Sequence, residues 1–156
     1  MSIETTNLNG QKISKNDILI HFIGEADELN SHLGLVKALL SDEEKRQFIE
    51  TIQKKIMQIM SHASDSENSK YFFLEEDVEV LEKEIEKLSH NIQEKHQFVL
   101  PGKNVTEAQI HIARAVARKT ERLFAAVSEK RPLCPKAGSY LNRLSDYLFA
   151  LARQFA

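Results

Sequence analysis

Apolar residues recur at intervals of three and four positions along most of the chain, which is the spacing of amphipathic helices. No stretch alternates convincingly in the two-residue period of a strand, and no segment is repeated. The pattern predicts helices over about 25–40, 42–64, 74–92, 105–128 and 137–155. Five helices indicate an all-α five-helix bundle, and a length of 156 residues suits a single domain over 1–156.

Each predicted helix has one apolar side that we expect to face the core. In the fourth helix this side consists of Ala108, Ile112, Ala115, Val116, Leu123 and Val127. Asn104 or Thr106 can cap the start of that helix, because both side chains can accept a backbone N–H. Ser41, with Glu44 three residues later, forms a capping-box pattern before the second helix.

The first seventeen residues, 1–17, are polar and show neither helical nor strand periodicity. We therefore expect an extended arm or loop. This segment would need the surface of a partner in order to pack. The short apolar run 18–23 then leads into the first helix, which is expected to begin near Gly24 or Glu25.

The composition narrows the functions to be considered. A content of 42% apolar and 28% charged residues is typical of an ordered globular protein, and a net charge of -2 gives no general electrostatic case for nucleic acid or acidic membranes. The single cysteine, Cys134, excludes an intramolecular disulfide, and the six histidines show no pairing typical of a zinc site. No apolar run approaches the roughly 20 residues of a membrane span. We therefore expect a cytoplasmic protein.

Basic side chains concentrate on a second side of the fourth predicted helix. This side carries His111, Arg114, Arg118, Glu121, Arg122 and Ala125. A planar guanidinium matches two oxygens of a carboxylate or phosphate, so several arginines on one face favour an anionic ligand or a partner acid. A solvated basic face is the alternative interpretation.

Several ordered motifs span nearly the whole chain. They read Lys15-Asn-Asp17, Gly24-Glu-Ala-Asp27-Glu-Leu-Asn-Ser31, Phe98-Val-Leu-Pro-Gly102, Arg-x-x-x-Arg-Lys-x-Glu-Arg from Arg114 to Arg122, and Tyr140-Leu-Asn-Arg-Leu-Ser-Asp-Tyr-Leu-Phe149. Together they resemble the trimeric, five-helix type of ATP:cob(I)alamin adenosyltransferase. The resemblance implies that ATP, with Mg2+, gives its 5'-deoxyadenosyl group to the cobalt of reduced cobalamin or another corrinoid and releases triphosphate. It also implies a homotrimer with sites between subunits, and a corrinoid reductase or an adenosylcobalamin-dependent enzyme as a further partner.

The resemblance assigns the nucleotide site to a group of polar residues and assigns no residue to a metal. The group is Thr5, Thr6, Lys15, Arg118, Glu121, Arg122 and Asn142, of which Arg118 and Asn142 are implied to be catalytic. An ion-pair network of the two arginines with Glu121, or with a neighbouring subunit, is the alternative.

Three residues are implied on the corrinoid side. Asp27 and Arg114 correspond to an acid and a base that pair across the subunit interface, with a local helix pair as the alternative. Phe98 corresponds to an aromatic residue on the lower axial side of cobalt. An apolar ring there excludes water and leaves the cobalt four-coordinate and easier to reduce. A core phenylalanine before a turn is the alternative for Phe98.

Departures from the family pattern keep other functions open. Family members usually begin with Thr-x-x-Gly-Asp-x-Gly-x-Thr, which cradles the triphosphate, whereas Thr5-Thr6-Asn7-Leu8 matches only the tail of that stretch. Lys119 stands where an arginine is common. The positive charge is therefore kept, but the planar pair of donors that a guanidinium provides is lost. A non-catalytic homologue that binds a corrinoid or a protein partner without ATP chemistry is therefore the alternative function. A purely structural helical oligomer is a more distant one.

Overall fold

A computed structural model describes residues 1–67, 75–90 and 98–156. Within these residues the chain forms two short strands followed by five helices. Their bounds are β1 Glu4–Thr6, β2 Lys12–Ser14, α1 Ile18–Leu39, α2 Glu43–Ser64, α3 Glu75–Ser89, α4 Val105–Ser128 and α5 Pro135–Arg153. The predicted five-helix bundle is confirmed. The ends predicted for the third helix, at 74 and 92, lie outside the described residues.

Helix α4 lies at the centre of the arrangement, between α1 and α5, while α2 packs on α1 and α3 packs on α5. Phe22 near the start of α1 meets Phe124 near the end of α4 edge-on, with ring centroids 5.6 Å apart. The backbone N–H at Cys134, just before α5, donates to Nε2 of His62 near the end of α2 at 2.7 Å. The start of α1, the ends of α2 and α4 and the start of α5 therefore share one end of the bundle.

Helix α1 begins at Ile18, so the prediction of a start near Gly24 was wrong. The side chain of Asp17 caps the helix by accepting the backbone N–H of Leu19 at 2.8 Å. The run 18–23 is helical because Leu19 and Phe22 continue the buried stripe of the helix toward its N-terminus. A short apolar run does not reveal its own period when it is read alone.

The caps of the other helices were predicted in part. Asn104 caps α4, since its Oδ1 accepts the backbone N–H of Glu107 at 2.9 Å. At α2 the capping residue is Asp42, which accepts the N–H of Lys45 at 3.1 Å, and the prediction of Ser41 was wrong. Both residues can cap, and a carboxylate also benefits from the positive end of the helix dipole.

The buried side of α4 differs from the predicted one. It consists mainly of Ile110, Ala113, Ala117, Thr120, Phe124 and Val127. Ile112, which was expected in the core, is 47% exposed. Apolar residues surround most of this helix, so two neighbouring stripes were nearly equivalent in the sequence. The choice between them is made by α1 and α5, which approach the small side chains of Ala113 and Ala117.

The arm 1–17 is a β-hairpin and not an unpaired loop. Strands β1 and β2 pair antiparallel, and the backbone turns through Asn7 and Gly10, the latter with φ +74°. Strands of three residues are too short to show a period. The hairpin lies against the helices through Ile13 and through a 3.4 Å hydrogen bond from the Asn9 amide to the Ser64 carbonyl. Among the described residues, no helix is long and apolar enough to cross a membrane.

Candidate functional site

Helices α4 and α5 place most of the predicted nucleotide residues around one depression. It has a volume of about 350 Å³ and is lined by Arg118, Glu121, Arg122, Ala125, Asn142, Ser145 and Asp146. Positions four apart on α4, such as Arg118 and Arg122, point to the same side of the helix. Asn142 approaches from α5, which packs along α4.

Ser145 and Asp146 belong to this depression but were not predicted as site residues. They lie three and four positions after Asn142, so they share its face of α5. That spacing was the signal in the sequence that could have identified them. Ser145 is buried and donates its hydroxyl hydrogen to the Asn142 carbonyl at 2.9 Å, and Asp146 accepts from Arg143 at 2.9 Å.

The two arginines at this depression have no carboxylate partner within the described part of the chain. The predicted alternative, an ion-pair network with Glu121, is not found there. Glu121 instead accepts a hydrogen bond from Nδ2 of Asn142 at 3.0 Å. The exposed forks of Arg118 and Arg122 are therefore available to an anion.

A second depression of about 370 Å³ lies on the other side of the Glu121–Asn142 pair. The basic side chains that line it are matched with acids. Lys136 pairs with Glu75, and Nε of Arg143 lies 3.1 Å from Glu82. This surface is electrostatically compensated, so the depression with unmatched arginines is the better candidate for a polyanion.

Lys119 does not join the arginine side of α4. Its Nζ lies 3.0 Å from Glu25 on α1, whose side chain is only 10% exposed. The hydroxyl of Thr120 is 3.5 Å from the Glu25 carbonyl. Lys119 therefore ties α4 to α1, and a single point charge is sufficient for that contact.

The three predicted nucleotide residues of the N-terminal segment are not brought to this depression within one chain. Thr5 and Thr6 lie on β1, and Lys15 follows β2, where its backbone N–H donates to the Ile3 carbonyl at 2.9 Å. None of the three lines the depression between α4 and α5. The side chains of Thr6 and Lys15 are exposed.

Asp27 and Arg114, predicted to pair across a subunit interface, are not paired with each other within the chain. Asp27 is exposed on α1 and makes no ion pair in the described ranges. Arg114 is half-buried on α4, and its Nε donates to Nδ1 of His111 at 3.2 Å. The alternative of a local helix pair between these two residues is therefore not found.

Phe98 lies fully exposed at the entry to α4, so it is not a core phenylalanine of a single chain. Other large apolar side chains around it in sequence are also exposed: Leu100 by 86%, Val105 by 72% and Ile112 by 47%. Such a concentration on a small protein marks a surface that contacts a ligand or another chain.

Glu107 and His111 are buried at this same end of α4, although the sequence placed His111 on the basic side of the helix. Glu107 is 0% exposed and its Oε2 accepts the backbone N–H groups of Gly102 and Lys103 at 2.8 and 3.0 Å. The hydrogen bond from Gly102 holds the pKa of this carboxyl below its usual range. Burial lowers the pKa of His111, which favours a neutral imidazole.

Comparison with known proteins identifies the family to which this arrangement belongs. A model of the cobalamin adenosyltransferase family matches residues 3–155. A corrinoid adenosyltransferase of Citrobacter freundii is 37% identical over 153 residues, covering 96% of this chain and 87% of the relative. The corrinoid adenosyltransferase PduO of Salmonella typhimurium strain LT2 is 34% identical over 154 residues, and this chain spans 46% of its length.

Solved structures agree with the sequence comparison. A variant PduO-type ATP:corrinoid adenosyltransferase from Lactobacillus reuteri, complexed with cobalamin and ATP, superposes with a TM-score of 0.87 at 29% identity. The match covers 97% of this chain and 87% of that one. Because both the family match and the structural match extend over nearly all of its length, this chain belongs to the cobalamin adenosyltransferase family.

Proposed function

We propose that this protein transfers the 5'-deoxyadenosyl group of ATP to the cobalt of a reduced corrinoid such as cobalamin. Co(I) supplies an electron pair to C5' of the ribose, and a carbon–cobalt bond forms. The bond between C5' and its phosphate oxygen breaks, and its electron pair leaves with inorganic triphosphate. No redox partner is consumed in this step, because cobalt arrives already reduced.

One observation carries the proposal beyond family membership: two unmatched guanidinium groups face one depression opposite Asn142. Triphosphate accumulates negative charge as it leaves, and fixed cationic donors stabilise that charge in the transition state. We assign this role to Arg118 and Arg122, with Glu121 and Asn142 orienting the nucleotide. Because cobalt is the nucleophile, no activated serine, cysteine or lysine is needed.

Mg2+ is proposed to enter together with the triphosphate. No group of three or more histidine, cysteine or acidic side chains able to hold a metal occurs among the residues that the structure describes. Mg2+ is commonly bound by one or two carboxylates plus substrate phosphates, which fits this arrangement. Glu121 and Asp146, which line the depression, would hold the ion, and it would supply neutralisation of phosphate charge.

The corrinoid is proposed to bind over the entry to α4. The exposed ring of Phe98, with Leu100 beside it, can cover one face of a flat macrocycle and exclude water from the lower axial position of cobalt. Thr5, Thr6 and Lys15 are proposed to complete the nucleotide site of a neighbouring subunit in a homotrimer. The exposure of these groups in the single chain, together with the absence of an Asp27–Arg114 pair in it, supports sites that are shared between subunits.

The function is tested by anaerobic incubation of the protein with ATP, Mg2+ and chemically reduced cobalamin. We expect the absorbance spectrum to convert to that of adenosylcobalamin, with one triphosphate released for each product molecule. Cobalamin binding without product, even at saturating ATP, would instead establish the non-catalytic homologue. Failure to bind either substrate would favour the third hypothesis, a purely structural helical oligomer.

A further inference from the structure

The entry to α4 is held by a series of polar contacts that links two regions of the proposed corrinoid side. We call the residues 98–103 the entry loop. Gly102 in this loop has φ +113°, a conformation that glycine adopts without strain. The N–H groups of Gly102 and Lys103 both point to Oε2 of Glu107, so the end of the entry loop is fixed to the first turn of α4.

The second oxygen of Glu107 depends on His111. Oε1 is buried, and Nε2 of His111 lies 3.1 Å from it. Within the described residues, no aligned hydrogen-bond donor reaches that oxygen, and the nearby imidazole of His111 is placed to supply one. Leaving a buried carboxylate oxygen without a donor is costly, so a proton on the imidazole nitrogen 3.1 Å away is favoured.

The other ring nitrogen of His111 fixes which tautomer is present. Nε of Arg114 lies 3.2 Å from Nδ1, and a guanidinium can only donate. Nδ1 is therefore the acceptor, and the proton of the neutral ring is on Nε2, facing Glu107. The ring is 4% exposed and packs edge-on against Phe149 at 6.2 Å, which restricts its rotation.

Resting on the proposed function, we propose that His111 is a positioning residue for the corrinoid side of the site. One ring nitrogen holds Arg114, and the other holds the entry loop, which carries Phe98, through Glu107. The two regions that would contact the corrinoid are thereby kept in one fixed arrangement. His111 itself is buried and acts only through these neighbours.

Three substitutions separate the contact of His111 with Arg114 from its contact with Glu107. His111→Phe keeps the ring and removes both contacts. His111→Asn can still accept from Arg114 but does not reach Glu107, and His111→Gln can donate to Glu107 but does not accept at the Nδ1 position. Gln109→Met is the matched control, because Gln109 is buried in the same turn of α4 and, among the described residues, its side chain bonds only to His32 on α1.

The first measurement is steady-state kinetics with reduced cobalamin and ATP. We expect His111→Phe to raise the KM for cobalamin about tenfold and to leave the KM for ATP within about twofold of wild type. Gln109→Met should change neither by more than about twofold. An equal rise in both KM values for His111→Phe, or the same cobalamin effect in Gln109→Met, would show a general structural role and overturn the inference.

The second measurement needs no substrate. Amide hydrogen exchange at Gly102 and Lys103 should be about tenfold faster in His111→Phe and His111→Asn, and close to wild type in His111→Gln. Unchanged exchange in all three variants would also overturn the inference. If wild type makes no adenosylcobalamin, the proposed function fails and this inference fails with it. If wild type is active while His111→Phe keeps the wild-type cobalamin KM, only the inference fails.

Discussion

At the scale of single residues, the most informative feature is a pair of arginines without acids. Several cations of this chain stand beside a carboxylate, as Arg46 does beside Glu43 at 3.7 Å. In the described ranges Arg118 and Arg122 do not, although Glu121 is on the same helix. Holding two like charges near each other without compensation is unfavourable for folding, so the arrangement supports the proposed anionic ligand.

Replacement of Arg118 tests this assignment. Arg118→Ala should lower kcat/KM for ATP about 100-fold, and Arg118→Lys about tenfold, because lysine restores the charge but not the two-point fork. Arg46→Ala removes a surface arginine on α2 and serves as the control. Rates measured with reduced cobalamin and varied ATP decide the matter. Activity of Arg118→Ala equal to that of the control would show that this arginine belongs to a solvated face.

A second prediction at this scale concerns pH and the buried His62. Burial lowers the pKa of His62, and its Nε2 accepts the N–H of Cys134, so the folded protein holds this ring neutral. The unfolded chain binds a proton more readily. The stability from His62 is therefore complete above the unfolded pKa of about 6.5 and falls as the pH drops below it, by up to about 1.4 kcal/mol per pH unit.

His62→Gln keeps an acceptor without a titrating ring, so it should flatten this pH dependence. Urea unfolding followed from about pH 7.5 to about pH 5.5 measures the slope. Burial also lowers the pKa of His111, which contributes in the same direction, so the slope should be reduced and not abolished. His21→Gln, at an exposed histidine, is the control. A slope that stays at the wild-type value in His62→Gln contradicts the prediction.

The sequence predicted the arginine face because spacing on a helix determines which side chains are neighbours. It did not predict the burial of Glu107 and His111, and the same spacing placed His111 on the basic side of the helix. Their burial follows from the entry loop folding back onto α4 and from Phe149 of α5, which are contacts between segments distant in sequence. Such contacts leave no periodic signal in a single sequence.

At the scale of elements, the centres of the helices were predictable and several of their ends were not. Ile52, Ile56 and Ile59 define α2 through spacing alone, and Asn104 marks the start of α4. The start of α1 was placed too late because Ile18 and Leu19 were read as a lead-in to the helix. The hairpin was missed because its two strands have three residues each.

The cap of α1 provides a test at this scale. Asp17→Ala removes the acceptor for the Leu19 N–H and should lower the free energy of unfolding by about 1 kcal/mol. Asn16→Ala changes the adjacent exposed side chain, which bonds to His21, and should have a much smaller effect. Chemical denaturation of both variants gives the comparison. Equal effects would show that the Asp17 side chain does not stabilise the start of the helix.

At the scale of the whole molecule, contacts within one chain explain the buried core, but they do not explain several apolar and charged side chains on the surface. Phe98 and Val105 are large apolar side chains left in solvent, and Asp27 has no basic partner in the described chain. The pattern of one sequence does not locate the residues that would contact these groups, because those residues would belong to another molecule. Association of identical chains would cover these groups and would bring a second hairpin to each α4–α5 depression.

Complementation between two inactive variants tests that assembly directly. Lys15 and Arg118 are proposed to serve one nucleotide site but lie apart in a single chain. If each site takes Lys15 from one subunit and Arg118 from its neighbour, Lys15→Ala and Arg118→Ala should each be nearly inactive alone. Chains of the two variants, unfolded together and refolded in equal amounts, should then regain about one quarter of the wild-type sites.

The reason for this recovery is geometric. In a mixed oligomer, some sites receive both replaced residues, one from each neighbouring chain. Other sites in the same oligomer then receive an intact Lys15 and an intact Arg118. A site built within one chain cannot recover, since every chain in the mixture carries one replacement. Light scattering should give a mass three times the 17.9 kDa of one chain for the wild type and for the mixture. Activity of the mixture no higher than the average of the two variants would place Lys15 and Arg118 in the same subunit's site or in none.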